Sequence, residues 1–304
     1  MDSFTLPAFA KINWFLRVLG RRDDDFHEIC TAFQIVSLHD KLTFSESDEI
    51  LLTCDQPDMP VDERNLIFRA AQALRENFGI KTGARIHLEK RIPAPGGLGG
   101  GSSNAAVALL GLIKLWRLEI NFEGLCEIGA RIGSDVPFFF FGGTALGAGR
   151  GTLVLPVDEI EEKFMLVVTP PVDVETGRAF ARLNAPRLTN QSPESILKHC
   201  RSEAEKLNLR HCILENDFER SVFKIEPEIK LVKEKLLELG ARRALMSGSG
   251  ASVFAVFDND ETRQATLKAL EDKPNWRKFA VATISRTEYR EALKMSEKLF
   301  PISF

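Results

Sequence analysis

Apolar and polar positions change period several times along the chain, and each change marks an element. Ala84, Ile86, Leu88, Lys90 and Ile92 alternate with Arg85, His87, Glu89 and Arg91, the period of two expected of a strand with one buried face. Just before it, Leu66, Ile67, Ala70, Ala71, Leu74 and Phe78 share one side of a helix, and Gly79 supplies the stop. Upstream, the stretch from Thr5 to about Phe44 is strand-like and is broken by a charged turn at 21–25. Downstream, Leu109, Leu112, Ile113 and Trp116 recur at helical spacing, with Ser103 or a neighbour as the expected cap. The second half is sparser. It predicts a strand over 164–169, a helix carrying Ile229, Val232, Leu236 and Leu239 that ends at Gly240, and a short buried strand over 251–257. Strands and helices alternate without the regular spacing of a doubly wound sheet, so the predicted class is α+β. Proline and acidic residues over 156–162 predict a division into an N-terminal domain, 1–158, and a C-terminal domain, 159–304.

Between the patterned strand and the patterned helix lies Pro95-Gly96-Gly97-Leu98-Gly99-Gly100-Gly101-Ser102-Ser103-Asn104. Glycines let backbone N–H groups approach an anion with no Cβ in the way, and the following helix adds free donors and the positive end of its dipole. This is the chemistry of a phosphate cradle, and a flexible linker does not sit between two patterned elements. Ser102 stands where a P-loop needs lysine and where a dinucleotide fingerprint needs its third glycine, so both of those motifs are excluded. A second small glycine loop, Met246-Ser247-Gly248-Ser249-Gly250, precedes the strand over 251–257.

The chain has 304 residues, 44% of them hydrophobic, enough for substantial cores, and a formal net charge of -3. That balance gives no general affinity for a nucleic acid polymer or an anionic membrane, so the nucleotide expected is a small molecule. Five cysteines with no C-x-x-C pair predict reduced thiols rather than a disulfide framework or zinc ribbon. No stretch has the length of a membrane span, and the expected setting is cytoplasmic.

Three motifs in order, Ala10-Lys11-Ile12-Asn13, the glycine loop over 93–104 and Gly248-Ser249-Gly250-Ala251, resemble the GHMP kinases, which phosphorylate small molecules with ATP. Further segments are similar to the branch of that superfamily serving non-mevalonate isoprenoid synthesis: Leu16, the turn from Gly20 to His27 and Glu28, Asn65-Leu66-Ile67, Gly133-Ser134-Asp135-Val136-Pro137 and Gly149-Arg150-Gly151. The resemblance implies a two-domain fold with the active site in the cleft between domains. It implies ATP as donor, Mg2+, and an acceptor bearing a cytidine diphosphate. Asp135 would take the proton from the acceptor's 2-hydroxyl and Lys11 would hold that carboxylate. Gly96 to Asn104 would wrap the ATP phosphates with Asn65 near the adenine. Asn13, Phe26, His27, Phe180 and the loop Ser247-Gly248-Ser249-Gly250 would contact the acceptor. No acidic cluster has ligand spacing, so no metal ligand is assigned.

Simpler roles stand beside these. Asp135 and Asn65 both precede residues suited to a first helical turn and so read as N-caps, Lys11 as a solvated lysine, His27 as a turn residue, and Phe180 as core. The branch usually has Gly-Tyr before the histidine where this chain has Asp25-Phe26. Aspartate tolerates left-handed backbone, and phenylalanine keeps the stacking ring without the hydroxyl. Two functional alternatives remain: another GHMP kinase, acting on mevalonate, homoserine or a sugar, and a catalytically silent regulator on the same fold. The presence of both Lys11 and Asp135 argues against the regulator.

Overall fold

The computed structural model describes residues 3–183, 185–187, 195, 198, 200, 202 and 214–294. Its first half contains β1 (Phe4–Arg21), β2 (His27–Ser47), β3 (Ile50–Cys54), α1 (Leu66–Phe78), β4 (Gly83–Glu89), α2 (Gly100–Leu115), α3 (Phe122–Ile132), α4 (Phe138–Phe141), β5 (Thr144–Gly149) and β6 (Leu153–Pro156). The second half contains β7 (Met165–Thr169), α5 (Thr176–Arg182), α6 (Glu219–Ile225), α7 (Pro227–Glu238), β8 (Arg243–Met246), β9 (Val253–Val256), α8 (Asp260–Ala269), β10 (Arg277–Val281) and α9 (Arg286–Leu293).

The long hairpin β1–β2 is the spine of the molecule. β2 pairs with β1 along its length, with β5 through Ile29 to Gln34, and with β4 through Lys41 to Ser47. One face of this first sheet carries α1 to α4, and Ala8, Ile35, Phe44 and Ile86 pack there against Ala70, Leu109 and Phe139. The opposite face meets the second sheet, ordered β10-β7-β9-β8. Alternation decides what each strand of that sheet touches. Met165, Val167, Leu245, Phe254 and Val256 point at Ala10, Ile12 and Trp14 of the first sheet. Leu166, Val168, Met246, Val253 and Ala255 point the other way, onto Val222, Ile229, Val232 and Leu236 of α6 and α7. The result is four layers: helices, sheet, sheet, helices. α9, which follows the predicted division at 158, returns to the first core, where Tyr289 and Leu293 are buried and the Tyr289 hydroxyl donates to the Phe139 carbonyl at 2.6 Å.

Two local expectations change. α2 is capped by Gly99 rather than by Ser103 or its neighbours, because Gly99 takes the left-handed conformation (φ 68°) and ends the loop there. The cysteines are not all unpaired: Cys30 of β2 and Cys200, 170 residues apart in sequence, are joined with their Cα atoms 5.5 Å apart. That spacing is normal for a disulfide, and neither residue count nor motif reveals a pairing over such a distance. Asn65 is the N-cap of α1, accepting from the Ile67 amide at 2.9 Å while its own amide donates to the Pro60 carbonyl at 2.8 Å. Asn65→Ala is expected to cost about 1 kcal/mol in denaturant unfolding. An accompanying rise in the ATP KM would reveal adenine contact as well.

Candidate active site

β1 carries two functional side chains because its register slips between Phe9 and Ala10 and again between Asn13 and Phe15. Such bulges re-aim side chains. Leu6 and Ala8 point into the helical core, whereas Ala10 and Ile12, of the same parity, point at the second sheet. Lys11 and Asn13 are thereby turned toward the start of α2. The Lys11 ammonium lies 3.5 Å from Asp135 Oδ2, donates to Asn13 Oδ1 at 2.8 Å and sits 5.6 Å from the centre of the Phe33 ring. The lysine side chain is 4% exposed and the aspartate 30%, so the carboxylate is the open member of the pair. Burial pulls Lys11 below the ordinary lysine range, and the charge of Asp135 opposes that shift. Asp135→Asn removes the opposing charge. Lys11 in that variant is expected to lose its proton at lower pH than in the unmodified protein, measured by NMR titration of the lysine Cε signals; an unchanged or higher midpoint would show that the two groups are not coupled.

The glycine loop lies against this pair. Gly97 and Gly99 both have left-handed backbone, and a Cβ on Gly97 would sit 2.0 Å from the Ser247 carbonyl oxygen. The Lys11 amide donates to the Leu98 carbonyl at 2.9 Å, fixing the loop to β1. The second glycine loop closes on it from the other sheet, with the Ser247 hydroxyl donating to the Gly97 carbonyl at 2.9 Å and the Ser252 amide to the Gly96 carbonyl at 3.1 Å. The first turn of α2 presents its N-terminal amides here. In that turn Ser103 Oγ and Asn104 Oδ1 are buried with no hydrogen-bond partner.

The loop's approach is held from beneath by a second buried ion pair. Lys90 donates to Asp40 Oδ2 at 2.7 Å and to the Ile92 carbonyl at 2.5 Å, while Asp40 Oδ1 accepts from the amides of Arg91 and Ile92 at 2.6 and 2.7 Å. Asp40 is fully buried and Lys90 6% exposed. Burial lowers the Lys90 pKa, and Asp40 counteracts it.

The far end of the cleft is aromatic. His27 stacks on Phe180 with ring centres 4.6 Å apart and planes at 21°, and Phe218 meets Phe180 edge-on at 4.7 Å. The Arg150 guanidinium lies 4.4 Å from the centre of the Phe26 ring, which is 50% exposed. Asp25 has φ 63°, the left-handed conformation that lets it stand in for glycine in this turn. Burial and the charge of Arg21 lower the His27 pKa, favouring a neutral ring at the stack.

The cleft has a volume of about 1160 Å³ and brings Lys11, Asn13, Phe26, His27, Asp135 and Phe180 onto one surface with the loop over 95–102 and Gly248, Ser249 and Gly250. Asn65, Ser103, Asn104 and Ser247 do not line it, although Leu66, next to Asn65, does. Asn13 lines the floor, but its amide is already engaged, by Lys11, the Gly248 amide at 3.0 Å and the Thr31 hydroxyl at 2.8 Å. Asp135 caps no helix: α4 begins beyond it, with Pro137 at its N-cap. Sequence pattern singles out neither Phe218 nor Arg150 as a site residue; both line the cleft. The Gly-Arg-Gly setting of Arg150 was the available signal, whereas Phe218 is one of 22 phenylalanines.

Residues 65–143 match the model of the GHMP kinases N terminal domain and residues 194–275 that of the GHMP kinases C terminal. The 4-diphosphocytidyl-2-C-methyl-D-erythritol kinase of Thermodesulfovibrio yellowstonii is 40% identical over 270 residues, covering 88% of this chain and 94% of the relative. The chain belongs to the 4-diphosphocytidyl-2-C-methyl-D-erythritol kinase family. The family member of Syntrophotalea carbinolica is 39% identical over 288 residues, 94% of this chain and all of the relative. The crystal structure of a 4-(cytidine 5'-diphospho)-2C-methyl-D-erythritol kinase superposes with a TM-score of 0.74 at 32% identity, covering 92% of this chain and 99% of that one. The α+β GHMP kinase architecture follows, as does kinase activity on a small molecule with ATP as phosphoryl donor. No helix among the described residues is long and apolar enough to cross a membrane.

Proposed function

We propose that this chain transfers the γ-phosphoryl group of ATP to the 2-hydroxyl of 4-diphosphocytidyl-2-C-methyl-D-erythritol, releasing ADP and the 2-phosphate in non-mevalonate isoprenoid synthesis. The observation that carries the reading is the Lys11–Asp135 pair, which stands on the surface joining a phosphate cradle to an aromatic end. Asp135, the more open partner, accepts the hydroxyl proton as the oxygen attacks the γ-phosphorus. Lys11 orients that carboxylate and neutralises charge as the bond to the ADP oxygen breaks. The amides at the start of α2 stabilise the negative charge on the phosphates. Little covalent chemistry is asked of the protein beyond this alignment.

Mg2+ would supply counter-charge to the ATP phosphates. Among the described residues no group of three His, Cys, Asp or Glu side chains is placed to hold a metal. Ser103, whose hydroxyl oxygen has no partner, is fully buried and does not line the cleft, so no side chain is assigned to the cation. ATP as donor supports a cytoplasmic setting, and the two sheets with their separate helical layers support a two-domain division near 158.

Phe26, His27 and Phe180 would receive the cytosine. In the present arrangement His27 occupies the face of Phe180, so a base stacking there displaces the imidazole, which then meets the base edge. The test is ADP release in the presence of single acceptors. Turnover is expected with the cytidylyl substrate and not with mevalonate, homoserine or galactose; turnover with one of these and none with the cytidylyl compound would overturn the assignment.

A further inference from the structure

The turn Asn216-Asp217-Phe218-Glu219 lies outside every motif singled out in the sequence, yet its side chains reach three parts of the site. Asn216 is 4% exposed, and its amide nitrogen donates to the carbonyls of Met246 at 2.8 Å and Gly248 at 2.7 Å, while its oxygen accepts from the Phe218 amide at 3.0 Å. Asp217 Oδ2 accepts from the Val18 amide of β1 at 2.8 Å, and Glu219 Oε1 accepts from the Met246 amide at 3.0 Å. The backbone of the same segment is stitched to β1, with the Leu16 amide donating to the Glu215 carbonyl and the Asp217 amide to the Leu16 carbonyl. Phe218 supports Phe180 edge-on.

We propose that Asn216 is a positioning residue for phosphoryl transfer, setting the Gly248 loop and, through it, the Lys11 ammonium. The connection is continuous: Asn216 holds the Gly248 carbonyl, the Gly248 amide donates to Asn13 Oδ1, and the same oxygen receives Lys11 Nζ, which faces Asp135. Gly248 is also packed so closely that a Cβ on it would lie 3.3 Å from Lys11 Nζ. A shift of that loop therefore reaches the lysine directly. Both hydrogens of the Asn216 amide are used on carbonyl oxygens, so the isosteric aspartate cannot replace it: a carboxylate there would face two carbonyl oxygens with nothing to donate. Asn216 does not line the cleft, so it acts through its neighbours rather than on a substrate.

The inference rests on the proposed roles of Lys11 and Asp135, and the experiment separates the two. Asn216→Asp and Asn216→Ser are compared with Asp135→Asn and with Val232→Ala, a cavity variant in the buried face of α7 away from the cleft. Steady-state constants for both substrates and thermal midpoints are measured for each. Asn216→Asp is expected to lower kcat by about 10- to 100-fold, the scale of a roughly 1 Å misplacement, while neither KM rises more than about threefold. Asn216→Ser, which keeps one donor, is expected to fall between, and it decides by the same comparison if the aspartate variant does not fold. Unchanged kcat in the folded variants, or a loss no greater than that of Val232→Ala at a matched thermal midpoint, overturns the positioning role. Full activity in Asp135→Asn would instead overturn the catalytic reading on which it rests.

Discussion

Asp135→Asn is expected to lower turnover by about 10²- to 10⁴-fold, the usual contribution of a general base, with ATP affinity largely kept. The amide has nearly the volume of the carboxylate and can still accept from Lys11, so the exchange removes proton acceptance with little change in shape. The acceptor hydroxyl must then lose its proton without a base as the phosphoryl group moves. Single-turnover ADP formation, with ATP affinity measured separately by calorimetry, checks the split between chemistry and binding. Wild-type turnover in the variant would show that Asp135 is not the base. A parallel loss of ATP binding would show that its role lies in organising the phosphate cradle.

The second large effect is on stability. Asp40→Ala is expected to cost about 3–5 kcal/mol, because it strands the Lys90 ammonium in the interior and also leaves the Arg91 and Ile92 amides without their acceptor. Lys90→Met is expected to cost less, since the remaining carboxylate still accepts from those two amides. Against a total of roughly 5–15 kcal/mol for a typical domain, the alanine change consumes a large share. Denaturant unfolding of the two variants reads the order directly, and equal costs would mean that the backbone contacts of Asp40 contribute little. Lys90 also lies 3.2 Å from where a Cβ on Gly100 would be, so loosening this pair disturbs the start of α2.

What the sequence made legible depended on how local each cause was. α1 was readable because its apolar face, its cap Asn65 and its left-handed Gly79 all lie within one short segment. The strand containing Ile86 and Leu88 was readable because one face is core and the other is not, and the inward position of Lys90 foreshadowed its burial without naming Asp40, fifty residues earlier. The start of α2 was misplaced because glycines argue against a helix locally, whereas packing against Lys11 and Ile92 makes Gly99 and Gly100 the residues that fit. The first two of the three motif segments supplied Lys11 and the glycine loop, and the further segment Gly133 to Pro137 supplied Asp135. Asn216 was invisible because its value lies in bonds to carbonyls thirty residues away and, through Gly248, to Asn13 on the first strand. The pairing of Cys30 with Cys200 was hidden for the same reason.

The return of α9 to the first core has a consequence for synthesis. Tyr289 packs against Phe9 with ring centres 5.6 Å apart, and its ring fills the space that a side chain at Gly142 would need. A chain emerging from the ribosome therefore exposes the Phe9 and Phe139 surface until residues 286–293 have been translated, however early its first strands pair. Nascent chains stalled before Arg286 would hold an open apolar seam, the kind of surface that chaperones bind, and release of that seam would coincide with the arrival of the last described helix.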